Sequence, residues 1–218
     1  MKKEITFIFD LDGVIVDTAK YHFLAWRNLA IQLGFEFTEA HNELLKGVSR
    51  VKSLEILLNI GKVEVTEEQK QEFLVTKNEE YLGYVNKMTN EEILPGVSDL
   101  LDYLDTNNIT YALGSASKNA PLILKRVGLY NRFTAIVDGN DVSKAKPDPE
   151  VFLIGAEKLQ MEAENCVVVE DAIAGVEAAK AANMICVGIG EKDVLGHADF
   201  VFNDMTGFTP EFLNQLIN

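Results

Sequence analysis

Phe7-Ile8-Phe9-Asp10-Leu11-Asp12-Gly13-Val14-Ile15-Val16-Asp17-Thr18 is the stretch from which the rest of the chain is read. The apolar run from Ile5 to Phe9, with Thr6 inside it, predicts a strand buried on both faces. Where that run ends it delivers two carboxylates, Asp10 and Asp12, and Gly13 then lets the backbone turn at once. Side chains two apart in an extended segment share a face, so both carboxylates can reach one reacting centre. The carboxyl end of a strand is also where open α/β sheets place their ligands. Two close carboxylates repel unless a cation or a shared proton relieves them. A merely solvated Asp-x-Asp-Gly turn is the bland alternative, and the remaining chain argues against it.

The chain has 218 residues, enough for one large domain or two smaller ones with a well-buried core. Hydrophobic residues make up 47% and charged residues 25%, as in ordinary globular proteins. The net charge is -14, from 34 acidic and 20 basic side chains. That balance speaks against nucleic acid and anionic membrane surfaces as partners, because both select clustered Lys and Arg. Anionic small molecules stay open, since a few placed basic groups and a metal can reverse the local field. No apolar run reaches the ~20 residues of a membrane span, and the Met1-Lys2-Lys3-Glu4 start does not resemble a signal peptide. Cys166 and Cys186 each sit in a valine- or isoleucine-rich run, which predicts buried reduced thiols. A cytoplasmic, monomeric enzyme acting on small molecules is expected.

After Asp17-Thr18 the periodicity becomes helical, over Lys20–Leu33, Thr38–Leu45, Ser53–Asn59 and Thr66–Tyr84, with Lys46–Arg50 as a loop. From Thr18 to about Glu92 no strand is predicted. Beyond Pro95-Gly96 helix and strand alternate. Strands are expected at Ile109–Leu113, Ala135–Val137, Cys166–Val169, Ile185–Ile189 and Phe200–Phe202. Helices are expected at Val97–Asn107, Ala120–Val127, Glu150–Leu159, Ala172–Ala182 and Pro210–Ile217. Such alternation means a doubly wound, Rossmann-like parallel sheet with helices on both faces. The expected α/β core spans 1–16 and 93–218, with an all-helical domain, 17–92, inserted after its first strand.

Four strand ends of that core carry chemically useful residues: Asp10 and Asp12, Ser115, Lys146 beyond a loop, and Glu170-Asp171. Asp10 and Asp171 offer hard oxygen ligands of the kind Mg²⁺ takes alongside waters and a phosphate oxygen. Ser115 and the amides after it can hydrogen-bond a phosphoryl group. Lys146 can neutralise charge on a nucleophile or on the transferring group. Singly, each has an ordinary explanation, such as a solvated loop lysine or an acidic pair at a helix N-terminus. Together, at successive strand ends, they form a specific signal.

Asp10-Leu-Asp-Gly, Ser115, Lys146 and Glu170-Asp171 resemble the four motifs of the haloacid dehalogenase superfamily, and the helical insert resembles its cap. Asp10 to His22, Trp26, Lys46-Gly47-Val48-Ser49-Arg50, Lys77-Asn78 and Ser115-Ala116-Ser117-Lys118-Asn119 further resemble the β-phosphoglucomutase family along nearly the whole chain. The resemblance implies interconversion of β-glucose 1-phosphate and glucose 6-phosphate through glucose 1,6-bisphosphate on an aspartyl phosphate. It implies that Asp10 is the nucleophile and that Asp12 is the general acid/base, its backbone carbonyl binding metal. Asp171 would bind Mg²⁺, and Glu170 would be a ligand or the support of one. Ser115, Ala116 and Lys146 would hold the transferring phosphoryl. Arg50, Ser117, Lys118 and Asn119 would hold the other phosphate. His22, Lys77, Gly47, Val48 and Ser49 would shape the cap side. Ala172 departs from the pattern, since a serine often follows the acidic pair.

From the residues alone, Trp26 suits either a helix core or a sugar platform, and His22 either packing or an acid/base-positioning role. A mutase needs phosphate sites at both ends of its substrate, and Arg50 opposite Lys118-Asn119 supplies a second one. The runner-up is a sugar-phosphate phosphatase with the same nucleophile and water as acceptor; a phosphate-binding module without chemistry is the third reading.

Overall fold

The computed structural model of the chain describes residues 4–45 and 48–217. Lys46 and Gly47, the second of them in the expected site, lie outside them. The first strand, β1, covers Thr6–Phe9. Four helices follow: α1 (Ala19–Gln32), α2 (Glu39–Glu43), α3 (Arg50–Gly61) and α4 (Glu67–Val85). The rest alternates: α5 (Val97–Thr106), β2 (Tyr111–Gly114), α6 (Ala120–Arg126), β3 (Ala135–Val137), α7 (Glu150–Lys158), β4 (Cys166–Glu170), α8 (Ile173–Ala181), β5 (Ile185–Ile189), α9 (Lys192–Leu195), β6 (Phe200–Phe202) and α10 (Pro210–Ile217). The six strands form one sheet in the order β3-β2-β1-β4-β5-β6, every pair parallel. The chain reverses its direction of winding between β1 and β4, the place where a doubly wound sheet opens its ligand crevice.

Period-two alternation explains why the strands read as unbroken apolar runs. Phe7, Phe9, Tyr111, Leu113, Val167, Val169 and Val187 face one side, packed with Leu100, Leu101 and Leu104 of α5, Ile123 and Leu124 of α6, and Phe212 and Leu213 of α10. Ile8, Ala112, Val168 and Cys186 face the other, against Val151, Phe152 and Ala156 of α7 and Val176, Ala178 and Ala179 of α8. Both cysteines are buried and free, and burial raises their thiols to about 11 for Cys166 and about 12 for Cys186. They are therefore inert packing residues.

The helices between β1 and α5 build a third core from Trp26, Leu29, Ala30, Phe37, Leu54, Leu57, Leu58 and Leu74. A different set from the same helices, Ala25, Tyr81 and Val85, joins the core on the sheet. The insert thus has its own interior and a seam with the sheet. Its two ends cross side by side: Val16 and Ile93 make an antiparallel bridge, Asp17 N–H donates to Glu92 O at 3.3 Å, and Leu94 N–H donates to Ile15 O at 3.0 Å. Glu92 accepts from Lys20 Nζ and from the Tyr21 hydroxyl, tying the exit of the insert to its first helix. Among the described residues no helix is long and apolar enough to cross a membrane.

Local chemistry shifts some expected boundaries. Arg50 and its neighbours do not lie in a loop up to Ser53. Ser49 caps α3, its hydroxyl accepting from Lys52 N–H at 3.3 Å, so the helix begins at Arg50. β2 begins two residues after Ile109, because Ile109 N–H is spent on Leu104 O and closes α5 through Asn108 at positive φ. The four-residue α9 was not expected from the sequence. The expected cap of α4 is present as a full capping box between Thr66 and Gln69.

Leu57 is fully buried at the centre of the insert's core. Leu57→Ala is expected to lower stability by about 2–5 kcal/mol, because a cavity remains where the side chain was. Urea unfolding checks it, and an unchanged midpoint would contradict the packing described.

Candidate active site

Three strand ends converge on one ammonium group. Lys146 Nζ donates to Asp10 Oδ1 at 2.6 Å, to Glu170 Oε1 at 2.5 Å and to the Gly114 carbonyl at 3.2 Å, at the ends of β1, β4 and β2. Its apolar stem and head lie over the Phe152 ring, 4.7 Å from the centroid. Burial alone would discharge this lysine, but Asp10 and Glu170 outweigh burial and hold it charged. Asp10 keeps its second oxygen on the backbone, with Asp12 N–H donating to Oδ2 at 3.1 Å. Glu170 spends its second oxygen on Ala172 N–H at 2.9 Å.

Two glycines make room for this. Gly13 has φ +76, and a Cβ there would stand 2.1 Å from Asp171 Oδ2, so the turn after β1 lies directly on that carboxylate. A Cβ on Gly175 would stand 1.9 Å from the carboxyl group of Glu170. The small residues of the turn and of α8 are therefore a steric requirement of the carboxylates.

Asp12 is the second carboxylate of the opening stretch, and Thr18 Oγ1 donates to its Oδ1. Burial first, and the charge of Asp10 second, push its carboxyl up to about 7. A carboxyl poised there can take and return a proton near neutral pH. A threonine six residues past Asp12 carries no signal of this contact in the sequence.

Beyond β2, a hydroxyl ladder turns the chain into α6. Ser115 Oγ accepts from Ser117 N–H at 3.1 Å, and Ser117 Oγ accepts from Asn119 N–H at 3.3 Å. Asn119 then donates to Asn78 Oδ1 of α4 at 3.2 Å, joining sheet and insert. On the insert side Lys77 is 2% exposed; its Nζ lies 2.7 Å from His22 Nδ1, 4.6 Å from the Trp26 ring centre and 4.8 Å from that of Tyr81. His22 stacks on Tyr81 with centroids 4.1 Å apart. Burial and then Lys77 hold the imidazole neutral, well below its usual range. Trp26 is both core and wall: it is 2% exposed yet borders the cavity. Arg50 opens α3 at its positive dipole end, a place where a cation gains stability once an anion arrives.

One cavity of about 740 Å³ unites these groups. Asp10, Asp12, Glu170 and Asp171 line its floor, with Lys146 and the run Ser115, Ala116, Ser117, Lys118, Asn119; His22, Trp26, Val48, Ser49, Arg50 and Lys77 line its roof. Every expected site residue among those described borders it. Lys144, Asn42 and Ser53 border it too and were missed, because a loop lysine and helix-borne Asn or Ser carry no pattern of their own. Arg50, Lys77, Lys118, Lys144 and Lys146, five of the chain's twenty basic residues, thus face one cavity in a protein of charge -14. The same lining carries Asp10, Asp12, Glu79, Glu170 and Asp171, so basic and acidic groups balance there although acids dominate the chain; an anion is accommodated where the basic groups stand.

The floor also fits a divalent cation. Lys146 balances only part of the charge of four converging carboxyl groups, and the donors are hard oxygens. Among the described residues no three His, Cys, Asp or Glu side chains form a preformed cage. Mg²⁺ needs none, since it keeps waters and takes one or two carboxylates with a phosphate oxygen. Asp10, Asp171 and the Asp12 carbonyl are the fitting donors at the end of β1 and beside it, while Glu170, like Asp10, already accepts at both oxygens.

Three comparisons bear on this geometry. Residues 6–183 match the family model of haloacid dehalogenase-like hydrolases. Over 210 residues the chain is 44% identical to the β-phosphoglucomutase of Bacillus subtilis, covering 95% of this chain and 93% of that one. It is 32% identical to a phosphorylated carbohydrates phosphatase of Thermotoga maritima, over 81% of each. Among solved structures, β-phosphoglucomutase from Clostridium difficile superposes with a TM-score of 0.92 at 39% identity, covering 99% of this chain and 97% of that one.

Lys77 makes the electrostatics of the roof measurable. Burial, then Arg50, lower its ammonium from 10.5 to about 7. Between those pH values the unfolded chain keeps a proton that the folded chain has released, so stability rises with pH across that window. Below about 7 the penalty is constant. Lys77→Met keeps the stem and removes the titration. The wild type is therefore expected to gain on the order of a few kcal/mol relative to this variant from pH 7 to 10.5. Denaturant unfolding of ligand-free protein across that range checks it, and a difference independent of pH would refute it.

Proposed function

This chain belongs to the haloacid dehalogenase-like hydrolase family, and on that premise we propose that it is a β-phosphoglucomutase, interconverting β-D-glucose 1-phosphate and glucose 6-phosphate. The observation that carries the proposal is a cavity lined by Lys146, which is bonded to the nucleophile, and also by Arg50 of the insert and Lys118 of the loop after β2, basic groups with no bond to it. A phosphatase needs only Lys146. Identity of 44% to a β-phosphoglucomutase over 95% of the chain supports the same choice over the phosphatase.

In this mechanism Asp10, phosphorylated beforehand by glucose 1,6-bisphosphate, passes its phosphoryl to the 6-hydroxyl of β-glucose 1-phosphate, and Asp12 takes the proton of that hydroxyl. The product is glucose 1,6-bisphosphate, which turns around in the cavity. Asp10 then attacks the phosphorus on the 1-oxygen in line, the bond to that oxygen breaks, and Asp12 returns the proton to it. Glucose 6-phosphate leaves and the phosphorylated enzyme is restored. Lys146 keeps Asp10 ionised and offsets charge on the phosphoryl, and Glu170 keeps Lys146 in place. Ser115 and Ala116 hold the transferring group, while Arg50, Ser117, Lys118 and Asn119 hold the distant phosphate. Thr18 orients Asp12. Mg²⁺ would be held by Asp10, Asp171 and the Asp12 carbonyl, and would supply neutralisation of charge on the phosphoryl group.

Residues 17–92 act as a cap over a core of 1–16 and 93–218. His22, Lys77, Trp26, Val48 and Ser49 form the roof that excludes water from the phosphoenzyme. All of these groups come from one chain, which supports a monomer, and the acidic exterior supports a cytoplasmic small-molecule enzyme without nucleic-acid partners.

The direct test is glucose 6-phosphate formation from β-glucose 1-phosphate primed with glucose 1,6-bisphosphate, beside phosphate release from either sugar phosphate. Phosphate release without glucose 6-phosphate would establish the phosphatase instead. In that assay Asp12→Asn is expected to lose about 10²–10⁴-fold in turnover. Labelling of Asp10 by acetyl phosphate should persist, since that leaving group needs no proton. Near-normal turnover would refute the acid/base role.

Arg50→Ala separates the two sets of basic groups. A charge-assisted contact of this kind is worth about 2–5 kcal/mol, or roughly 30- to several-thousand-fold. Loss on that scale is expected for the bisphosphate and not for hydrolysis of a small aryl phosphate, which has no second phosphate to hold. Equal losses on both would move Arg50 to the reacting group.

A further inference from the structure

The roof of the cavity contains two buried polar side chains that no step above uses. Asn42 of α2 is 8% exposed and Ser53 of α3 is 4% exposed; both line the cavity. Among the described residues neither side chain has a hydrogen-bond partner, and their polar atoms are not sealed inside the protein but stay open to the cavity. Leu45, Trp26 and Leu74 of the same wall are apolar, and Asn42, Ser53 and Gln71 are polar points set among them. Ser53 stands three residues beyond Arg50 on α3, on the same helix face. A ligand whose phosphate rests on Arg50 therefore has its next atoms along this strip.

An amide in such a place fits a neutral partner that both donates and accepts. Asn42 offers a carbonyl and an NH₂ group, which match a sugar hydroxyl or a vicinal pair of them; a second phosphate would instead be matched by a cation. We propose that Asn42 hydrogen-bonds a ring hydroxyl of the sugar and is a specificity-determining residue of the cap; the inference rests on the sugar-phosphate reading above. With the hydroxyl present the buried amide is satisfied. With a deoxy sugar it stays unpaired, which turns one missing oxygen into selectivity.

The experiment compares wild type, Asn42→Ala and Asn42→Asp on β-glucose 1-phosphate and on its 2-, 3- and 4-deoxy analogues. Thermal unfolding of each variant accompanies the kinetics. Asn42→Ala is expected to lower kcat/KM on the parent sugar by about 3- to 10-fold, mainly through KM. On the one analogue that lacks the partner hydroxyl, wild type and variant should differ no further. Asn42→Asp, nearly isosteric, keeps the acceptor and loses the donor; it should retain the pattern of discrimination if the amide only accepts, and abolish it if the amide donates. Equal losses on all four sugars, or none on any, would overturn the proposal and leave Asn42 a packing residue. A wild type that converts none of these sugars fails the sugar-phosphate reading and the inference with it. A wild type that converts the parent while its analogues show no Asn42-dependent difference fails the inference alone.

Discussion

The buried ammonium of Lys146 is the constraint on which the rest of the architecture depends. It is held by a side chain from β1, a carbonyl from β2 and a side chain from β4. No local segment could assemble that set, so three parallel strands must end at one level. A lone lysine in this place would be discharged by burial; the two carboxylates make it a permanent cation. The reverse dependence is as strong, because removing one partner of a buried charge pair leaves an uncompensated charge costing about 3–5 kcal/mol. The sheet fixes the ions, and the ions make the sheet's end-on alignment obligatory.

Around this fixed point the chain sets two kinds of surface against each other. The floor is rigid and ionic, built on strand ends buried on both faces. The roof is helical, with its own core and with cations held by aromatic rings and a neutral imidazole rather than by carboxylates. Lys77 therefore has little to hold its charge until an anion enters. Lys146 is already fully engaged by the protein. One lysine is preorganised, and the other is reserved for the ligand.

Much of this was legible in the sequence, for identifiable reasons. Buried parallel strands leave unbroken apolar runs, and β5 falls at the expected residues; the short, partly buried edge strands β3 and β6 keep enough of that pattern to do the same. Asp10, Asp12, Ser115, Lys146, Glu170 and Asp171 could be found because each follows a strand end directly or through one loop. What stayed hidden depends on contacts across the chain. The start of α3 at Arg50 is set by a single serine hydroxyl. The commitment of both Glu170 oxygens, the Thr18 contact to Asp12 and the exposure of Asn42 to the cavity are tertiary facts with no periodic trace. The cavity-facing role of Trp26 is likewise undecidable from spacing, since one side of the ring packs and the other borders the site.

The paired crossings at Val16 and Ile93 have a consequence for how such a molecule can change over time. Entry and exit of the insert stand as direct partners in an antiparallel bridge, and partners of that kind lie only about 5 Å apart. The sheet therefore presents a socket: any helical module whose own ends meet at that spacing can be plugged in without altering a strand, a register or Lys146. The strand ends that hold Asp10, Lys146 and Glu170 together stand on one side of that socket, and one contiguous segment with an interior of its own stands on the other.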